Sequence, residues 1–187
     1  FTKLGGNKNN TWVTKATGLY TGGRVLNTVV SPFFDLSALT DVYISFNHSI
    51  ATEANWDRSI FQYSLDSGKT WILAGGLSDP NGINWYDTTL YAHALGNYDN
   101  FDTAGAVIAG FPFPVGPTRV APSWTSNDVL DDAIATGPFG YIYAQLKLTG
   151  LTTPQKSFIR FRYAAFADNS GNSGQPNPPG DGWAFDD

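Results

Sequence analysis

Short apolar blocks separated by turn residues recur along the whole of this chain. Apolar residues alternate with polar ones or run in short blocks, and almost no segment follows the 3.6-residue period of a helix. The 20 glycines and 11 prolines provide the turns between the blocks. This pattern predicts an all-β sandwich, with strands at Thr11–Lys15, Arg24–Ser31, Val42–Ile50, Ser59–Ser64, Thr70–Ala74, Asn84–Thr89, Tyr141–Leu148, Phe158–Ala167 and from Trp183 onward.

The acidic residues support the same fold class. Glu53 is the only glutamate, and the other fifteen of the 16 acidic residues are aspartates. Glutamate favours helices, whereas aspartate favours turns, caps and calcium loops. The net charge of −5 argues against nucleic acid as a partner, because binding to the phosphate backbone depends on clustered Lys and Arg.

Composition predicts one β-sandwich domain over residues 1–187, since 42% of residues are apolar and only 14% are charged. Cysteine and methionine are absent, which excludes disulfides, thiolate metal sites and thiol nucleophiles. No stretch approaches the roughly 18 apolar residues of a membrane helix, so we expect no membrane insertion. We expect the chain to be a fragment of a longer polypeptide, or a partner segment to cover an open edge left after Asp187.

The clearest local signal is the segment Leu65–Trp71. Its Asp-Ser-Gly-Lys turn lies between two aromatic-rich stretches and predicts a β-hairpin. From about 91 to 140 the strand pattern is replaced by Gly, Pro, Asn and Asp around isolated aromatics, which predicts a long loop with one helical turn at Ser126–Ala135. A second loop is predicted at Asp168–Gly182.

Six segments in order resemble a known family. The chain is similar to the MAM-like jelly-roll modules in large secreted proteins and adhesins of Bacteroidetes, many of which the type IX secretion system exports. The resemblance implies a two-sheet antiparallel jelly roll, a secreted or cell-surface bacterial location, and secretion machinery or neighbouring domains as partners. It rests on SPFFDLS (31–37), WD (56–57), FQYSLDSGKTW (61–71), NWY (84–86), RFRYA (160–164) and DGWAFDD (181–187).

The same resemblance implies a structural calcium, as in several relatives. Calcium prefers six to eight hard oxygen ligands, and the candidates are Glu53, Asp57, Asp168, Asp186 and Asp187. Successive residues of a strand face opposite sides, so we expect only one of Asp186 and Asp187 to bind. The alternative is that Asp57 and Asp66 only accept hydrogen bonds from turn amides, and for Asp66, inside the hairpin turn, we favour it.

The residues argue against an enzyme. A glycosidase needs two carboxylates across a sugar, and nothing in the sequence brings Glu53 and Asp181 together. His48 and His93 lie far apart along the chain, and motifs for zinc peptidases, nucleotide binding and serine hydrolases are absent. We expect His48 to be a strand residue with an ordinary hydrogen bond.

Aromatic residues are the candidates for a ligand surface, because an aromatic ring stacks on the apolar face of a sugar. Trp12, Trp56, Trp71, Trp85 and Trp183 lie in or beside strand motifs, where packing is the expected role. Those in the long loop are expected to be exposed, and the predicted ligand-binding residues are therefore Tyr91, Tyr98, Phe111, Phe113 and Trp124, with Phe101 nearby.

Thr88 and Thr103 are candidates for O-glycosylation. The segments Asp87-Thr88-Thr89 and Asp102-Thr103-Ala104 look similar to the acceptor pattern of Bacteroidetes, which is an Asp, then Ser or Thr, then a small or apolar residue. Such a short pattern also arises by chance.

Two functions follow as expectations. The first is a non-catalytic binding or adhesion module with a surface polysaccharide or protein as partner. The second is a structural spacer or cargo domain attached to a secreted enzyme, with no ligand of its own. Exposed aromatics clustered with polar side chains favour the first, and a surface without such a cluster favours the second.

Overall fold

The computed structural model describes residues 2–5, 10–13, 25–51, 58–91, 120–125, 141–167 and 182–186. The regular secondary structure of this part of the chain is almost entirely strand, with one short helix. The elements are β1 (Thr2–Gly5), β2 (Asn10–Val13), β3 (Val25–Val30), β4 (Val42–Ala51), β5 (Arg58–Ser64), β6 (Ile72–Leu73), β7 (Gly82–Ile83), β8 (Thr88–Tyr91), β9 (Val120–Ser123), β10 (Ile142–Leu148), α1 (Thr153–Lys156), β11 (Arg160–Ala167) and β12 (Gly182–Asp186).

The strands form two main antiparallel sheets, which confirms the predicted all-β sandwich. The first sheet has the order β1-β2-β12-β4-β10-β7, and the second has the order β3-β11-β5-β6. Strands β8 and β9 pair with each other as a separate ribbon. Along the chain the long strands β3, β4 and β5 alternate between the sheets, as do β10, β11 and β12.

The core lies between the sheets and is mostly aromatic. Phe46 is near its centre, with ring centroids 5.4 Å from Phe61, 5.8 Å from Trp85 and 5.7 Å from Trp124. Trp183 of β12 is 1% exposed in the same cluster. The predicted packing role is confirmed for three tryptophans, because Trp71, Trp85 and Trp183 are all buried.

The hairpin prediction is also confirmed, since β5 and β6 pair on either side of the turn. The Asp66 carboxylate accepts hydrogen bonds from the Thr70 amide at 2.8 Å and the Thr70 hydroxyl at 2.6 Å. Ser67 and Gly68 both have positive φ, which the tight reversal requires. Asp66 therefore serves the turn, as expected.

The predicted strand Asn84–Thr89 is wrong in its first half. Asn84 and Tyr86 have φ values of 47° and 55°, which an extended strand does not allow. The kink turns Trp85 into the core, where its indole N–H donates to the Ala74 carbonyl at 2.7 Å. A Cβ at Gly75 would lie 2.7 Å from that indole nitrogen, so Trp85 requires glycine there.

Four elements were absent from the sequence-based expectations: β1, β7, β9 and α1. Strand β9 lies inside the segment predicted as a long loop, and the helical turn predicted at Ser126–Ala135 lies outside the described residues. Helix α1 begins with a capping box between Thr152 and Gln155. In the described residues no helix has the length and apolar character needed to span a membrane.

The expected open edge at the last strand is not found. Strand β12 is internal to its sheet and pairs with β4 on one side and β2 on the other. Ala184 is opposite Ser49 of β4 and also opposite Val13 of β2. The strand from the start of the chain therefore covers the edge that was expected to need a partner.

The two sheets differ on the faces that point away from the core. On β5 both faces are buried, and Ile60 and Gln62, which point away from the core, are 0% exposed. The Arg162 side chain donates to the Gln62 amide oxygen at 2.6 and 2.8 Å and lies 4.2 Å from the centre of the Trp71 ring. On the first sheet, Tyr43 and Ser45 of β4 and Tyr143 of β10 also point away from the core and are instead exposed.

Candidate ligand-binding face

The accessible surface of the first sheet carries tyrosines among neutral polar side chains. We call it the tyrosine face and define it as Tyr43, Ser45 and Asn47 of β4, Ile83 of β7, and Tyr143, Gln145 and Lys147 of β10. In a strand alternate side chains point to opposite faces. Phe46, Ala144 and Leu146 enter the core, so the intervening residues point outward.

Strand register arranges the tyrosine face in rows. Asn47 is opposite Tyr143, Ser45 is opposite Gln145, and Tyr43 is opposite Lys147. Directly opposed side chains have Cβ atoms about 5 Å apart, so the members of each row are neighbours. Tyr43 and Tyr143 lie two rows apart, which is roughly 14 Å at the usual rise of a strand.

The aromatic rings of the face are open to solvent. Tyr43 is 55% exposed and Tyr143 is 42% exposed, while Ile83 next to Gln145 is 51% exposed. Tyr141, just before β10, is 48% exposed. An exposed tyrosine offers an apolar ring and a polar hydroxyl in one rigid side chain, which suits contact with an amphipathic ligand.

Hydrogen bonds orient the centre of the face. The Tyr143 hydroxyl donates to the Gln145 amide oxygen at 2.5 Å. The Gln145 NH2 group has no hydrogen-bond partner among the described residues, so it is available to a ligand. The Asn84 side chain donates to the Tyr143 main-chain carbonyl at 2.8 Å and so ties the kinked segment after β7 to β10.

One end of the face carries a salt bridge. The Lys147 ammonium lies 2.7 Å from the Asp41 carboxylate and 5.7 Å from the centre of the Tyr43 ring. The Asp41 carboxylate raises the pKa of Lys147. The charge of this lysine is therefore already matched, and its ammonium also lies within cation–π distance of the Tyr43 ring.

Trp124 does not lie on a ligand surface, and its expected exposure was wrong. It is 2% exposed, with its ring 4.4 Å from that of Tyr86 and 4.9 Å from that of His48. Its indole N–H donates to the Asn84 carbonyl at 3.0 Å. The bridge between Trp124 and Ser59 of β5 draws this residue inward.

The other predicted ligand residues are largely untested. Tyr91 ends β8 opposite Val120, whereas Tyr98, Phe111 and Phe113 lie outside the described residues. Of the two glycosylation candidates, Thr88 begins β8 opposite Ser123, and Thr103 lies outside the described residues.

Most of the calcium candidates also lie in the part of the chain that the structure does not describe. Glu53, Asp57, Asp168 and Asp187 lie outside the described residues. Asp186 ends β12 opposite Asn47, on the same side of the sheet as the tyrosine face. Among the residues that the structure describes, no group of three or more His, Asp or Glu side chains could hold a metal ion.

Three groups with shifted pKa values, His48, Tyr86 and Tyr163, lie in the core and away from the tyrosine face. Burial lowers the pKa of His48 to about 4 and raises the pKa of Tyr86 and Tyr163 above the ordinary tyrosine value. The expected hydrogen bond of His48 is not found at Nδ1, which has no partner among the described residues. At 1% exposure this imidazole packs against the rings of Phe46 and Trp124 rather than facing a substrate.

A second exposed aromatic pair lies elsewhere on the molecule. Phe33 and Phe158 stack with centroids 4.1 Å apart, and the Arg160 guanidinium lies 4.5 Å from the centre of the Phe33 ring. Arg160 also donates to the Ser31 carbonyl at 2.9 Å. The pair packs the segment between β3 and β4 against the residues just before β11, so part of its role is structural.

Sequence reasoning missed the tyrosine face, although a signal was present. Tyr141, Tyr143, Gln145 and Lys147 alternate with apolar residues, and such alternation predicts a strand with one open face. The signal did not say that β10 would lie beside β4, which brings Tyr143 next to Asn47.

Comparison with protein-family models, curated proteins and solved structures finds no match for this chain.

Proposed function

We propose that this chain is a non-catalytic binding or adhesion module of a secreted or cell-surface bacterial protein, and that it binds carbohydrate through the tyrosine face. The observation that carries the proposal is the cluster of exposed tyrosines among Ser45, Asn47 and Gln145 on one open sheet. Aromatic and neutral polar side chains together match a ligand that is apolar on one side and hydroxylated on the other.

The location of the titratable groups supports a binding role. His48, Tyr86 and Tyr163 are buried in the aromatic core, where a dissolved polymer has no access. The tyrosine face offers amides, hydroxyls and rings, which hold a ligand without altering its bonds. The secreted location and the link to type IX secretion rest on the resemblance to MAM-like modules.

The test is a double variant, Tyr43→Ala with Tyr143→Ala, assayed for binding to bacterial cells and to a set of polysaccharides. We expect the variant to fold normally and to lose most binding, because both side chains are already solvent-exposed in the free protein. Phe158→Ala is the matched control, since it removes a 46% exposed aromatic outside the face. Equal binding by a folded double variant would reject the face and favour the spacer function.

A further inference from the structure

We infer that the ligand of the tyrosine face is an extended, electrically neutral polysaccharide chain that contacts Tyr43 and Tyr143 with different sugar residues. This inference rests on the proposed function and narrows it to one ligand class. Three features of the face support the inference: its open shape, its charge and the distance between Tyr43 and Tyr143.

The open shape favours a polymer over a small molecule. Small ligands bind in concave sites that enclose most of their surface. The tyrosine face is an accessible sheet surface, on which Tyr43, Tyr143 and Ile83 are about half exposed. A ligand gains affinity on such a surface by extending over several rows of side chains.

The charge of the face disfavours an anionic polymer. Lys147 is its basic residue, and the Asp41 carboxylate lies 2.7 Å from the ammonium. Asp186, opposite Asn47, adds another acidic residue beside the first row. The tyrosine face therefore offers an anionic chain no unmatched basic side chain, on a protein whose net charge is −5, and like charges suppress association.

The polar side chains of the face suit hydroxyl groups. Ser45, Asn47 and Gln145 are neutral, and their hydroxyl and amide groups both donate and accept hydrogen bonds. The Tyr143 hydroxyl donates to the amide oxygen of Gln145, and the NH2 group of Gln145 is a hydrogen-bond donor for a ligand hydroxyl. Ser45 and Gln145 form the row between the two tyrosines, where the middle of a bound chain would pass, and Asn47 lies beside Tyr143.

The distance between Tyr43 and Tyr143 sets a minimum ligand length. The rings belong to rows roughly 14 Å apart along the strands, so one sugar cannot stack on both. A longer oligosaccharide engages the second tyrosine without a second association step, which raises affinity through effective concentration. Affinity should therefore increase with chain length until both rings are covered.

The experiment combines affinity electrophoresis with calorimetric titration of the folded protein. The probes are three neutral polymers (a β-glucan, a xylan and a mannan), the anionic polygalacturonate, and neutral oligosaccharides of increasing length. We expect retardation by a neutral polymer at both low and high salt. Tyr43→Ala and Tyr143→Ala should each weaken binding about tenfold, and either should abolish the gain with oligosaccharide length. Phe158→Ala should change nothing.

The outcomes separate the two proposals. One outcome is binding to polygalacturonate alone, which is lost at high salt and in the double variant. This result overturns the neutral polysaccharide as the ligand class but leaves the tyrosine face as the binding surface. Affinity for neutral oligosaccharides that does not depend on length overturns the two-ring contact. Binding to none of the polymers, or unchanged binding by the double variant, overturns both this inference and the proposed function.

Discussion

The main-chain amide and carbonyl of Trp124 are both hydrogen-bonded to Ser59, at 3.0 and 2.9 Å. This bridge joins the end of β9 to the start of β5. It holds the indole in the core between His48 and Tyr86, with the ring plane nearly parallel to that of Tyr163. A residue from a distant part of the chain thus completes the core between the two sheets.

Replacing Trp124 by alanine should destabilise the protein by about 3–5 kcal/mol, as expected when a buried tryptophan leaves a cavity. Denaturant unfolding followed by circular dichroism measures the loss. Phe158→Ala is the control, because that ring is 46% exposed and its removal should cost much less. A Trp124→Ala protein as stable as the control would mean that the indole does not pack in the core.

Stability should fall in mildly acidic solution because of His48. Burial lowers its folded-state pKa to about 4, below the ordinary value of 6.5. Between these values the unfolded state binds more protons, so stability is lost as the pH falls from about 6.5 to about 4, by at most about 3 kcal/mol.

NMR titration of the imidazole measures the His48 pKa directly, and unfolding at a series of pH values measures the linked stability. In the His48→Phe variant, the loss of stability that His48 causes between about pH 6.5 and about pH 4 should disappear. An imidazole that titrates near 6.5 in the folded protein would contradict the burial of His48.

The stability of the protein should depend on the Asp66 carboxylate in the turn of the β5–β6 hairpin. Hydrogen bonds from Thr70 lower the pKa of Asp66 to about 2. The carboxylate stabilises the fold above its unfolded pKa, and this contribution is lost as the pH falls through about 2. Asp66→Ala should therefore lower the melting temperature at neutral pH. Lys69→Ala, in the same turn, is the control and should leave it nearly unchanged.

Calcium, if it is a ligand of this protein, should raise the melting temperature, because binding to the folded state stabilises it. EDTA should then lower the melting temperature, and Glu53→Gln should reduce the response to added calcium. Asp35→Asn is the matched control, since its carboxylate accepts a bond from the Ser37 amide within an exposed turn. An unchanged melting curve, with metal analysis finding no calcium in untreated protein, would refute a calcium site.

The sequence predicted local structure correctly where neighbouring residues decide the conformation. The Asp66 turn, the alternation along β4 and β10, and the packing role of Trp85 and Trp183 follow from short-range pattern and residue type. Such features depend on backbone sterics and on period-two burial, which a single segment contains in full.

The sequence by itself determined the all-β class, most strands and the hairpin, because each depends on residues close together in the chain. Only the tertiary structure decided that Trp124 is buried, since its bridge to Ser59 joins segments far apart in sequence. The same holds for the tyrosine face, where pairing of β4 with β10 brings Asn47 beside Tyr143. Long-range strand pairing is selected by the packing of the whole core, so no local pattern specifies which exposed side chains become neighbours.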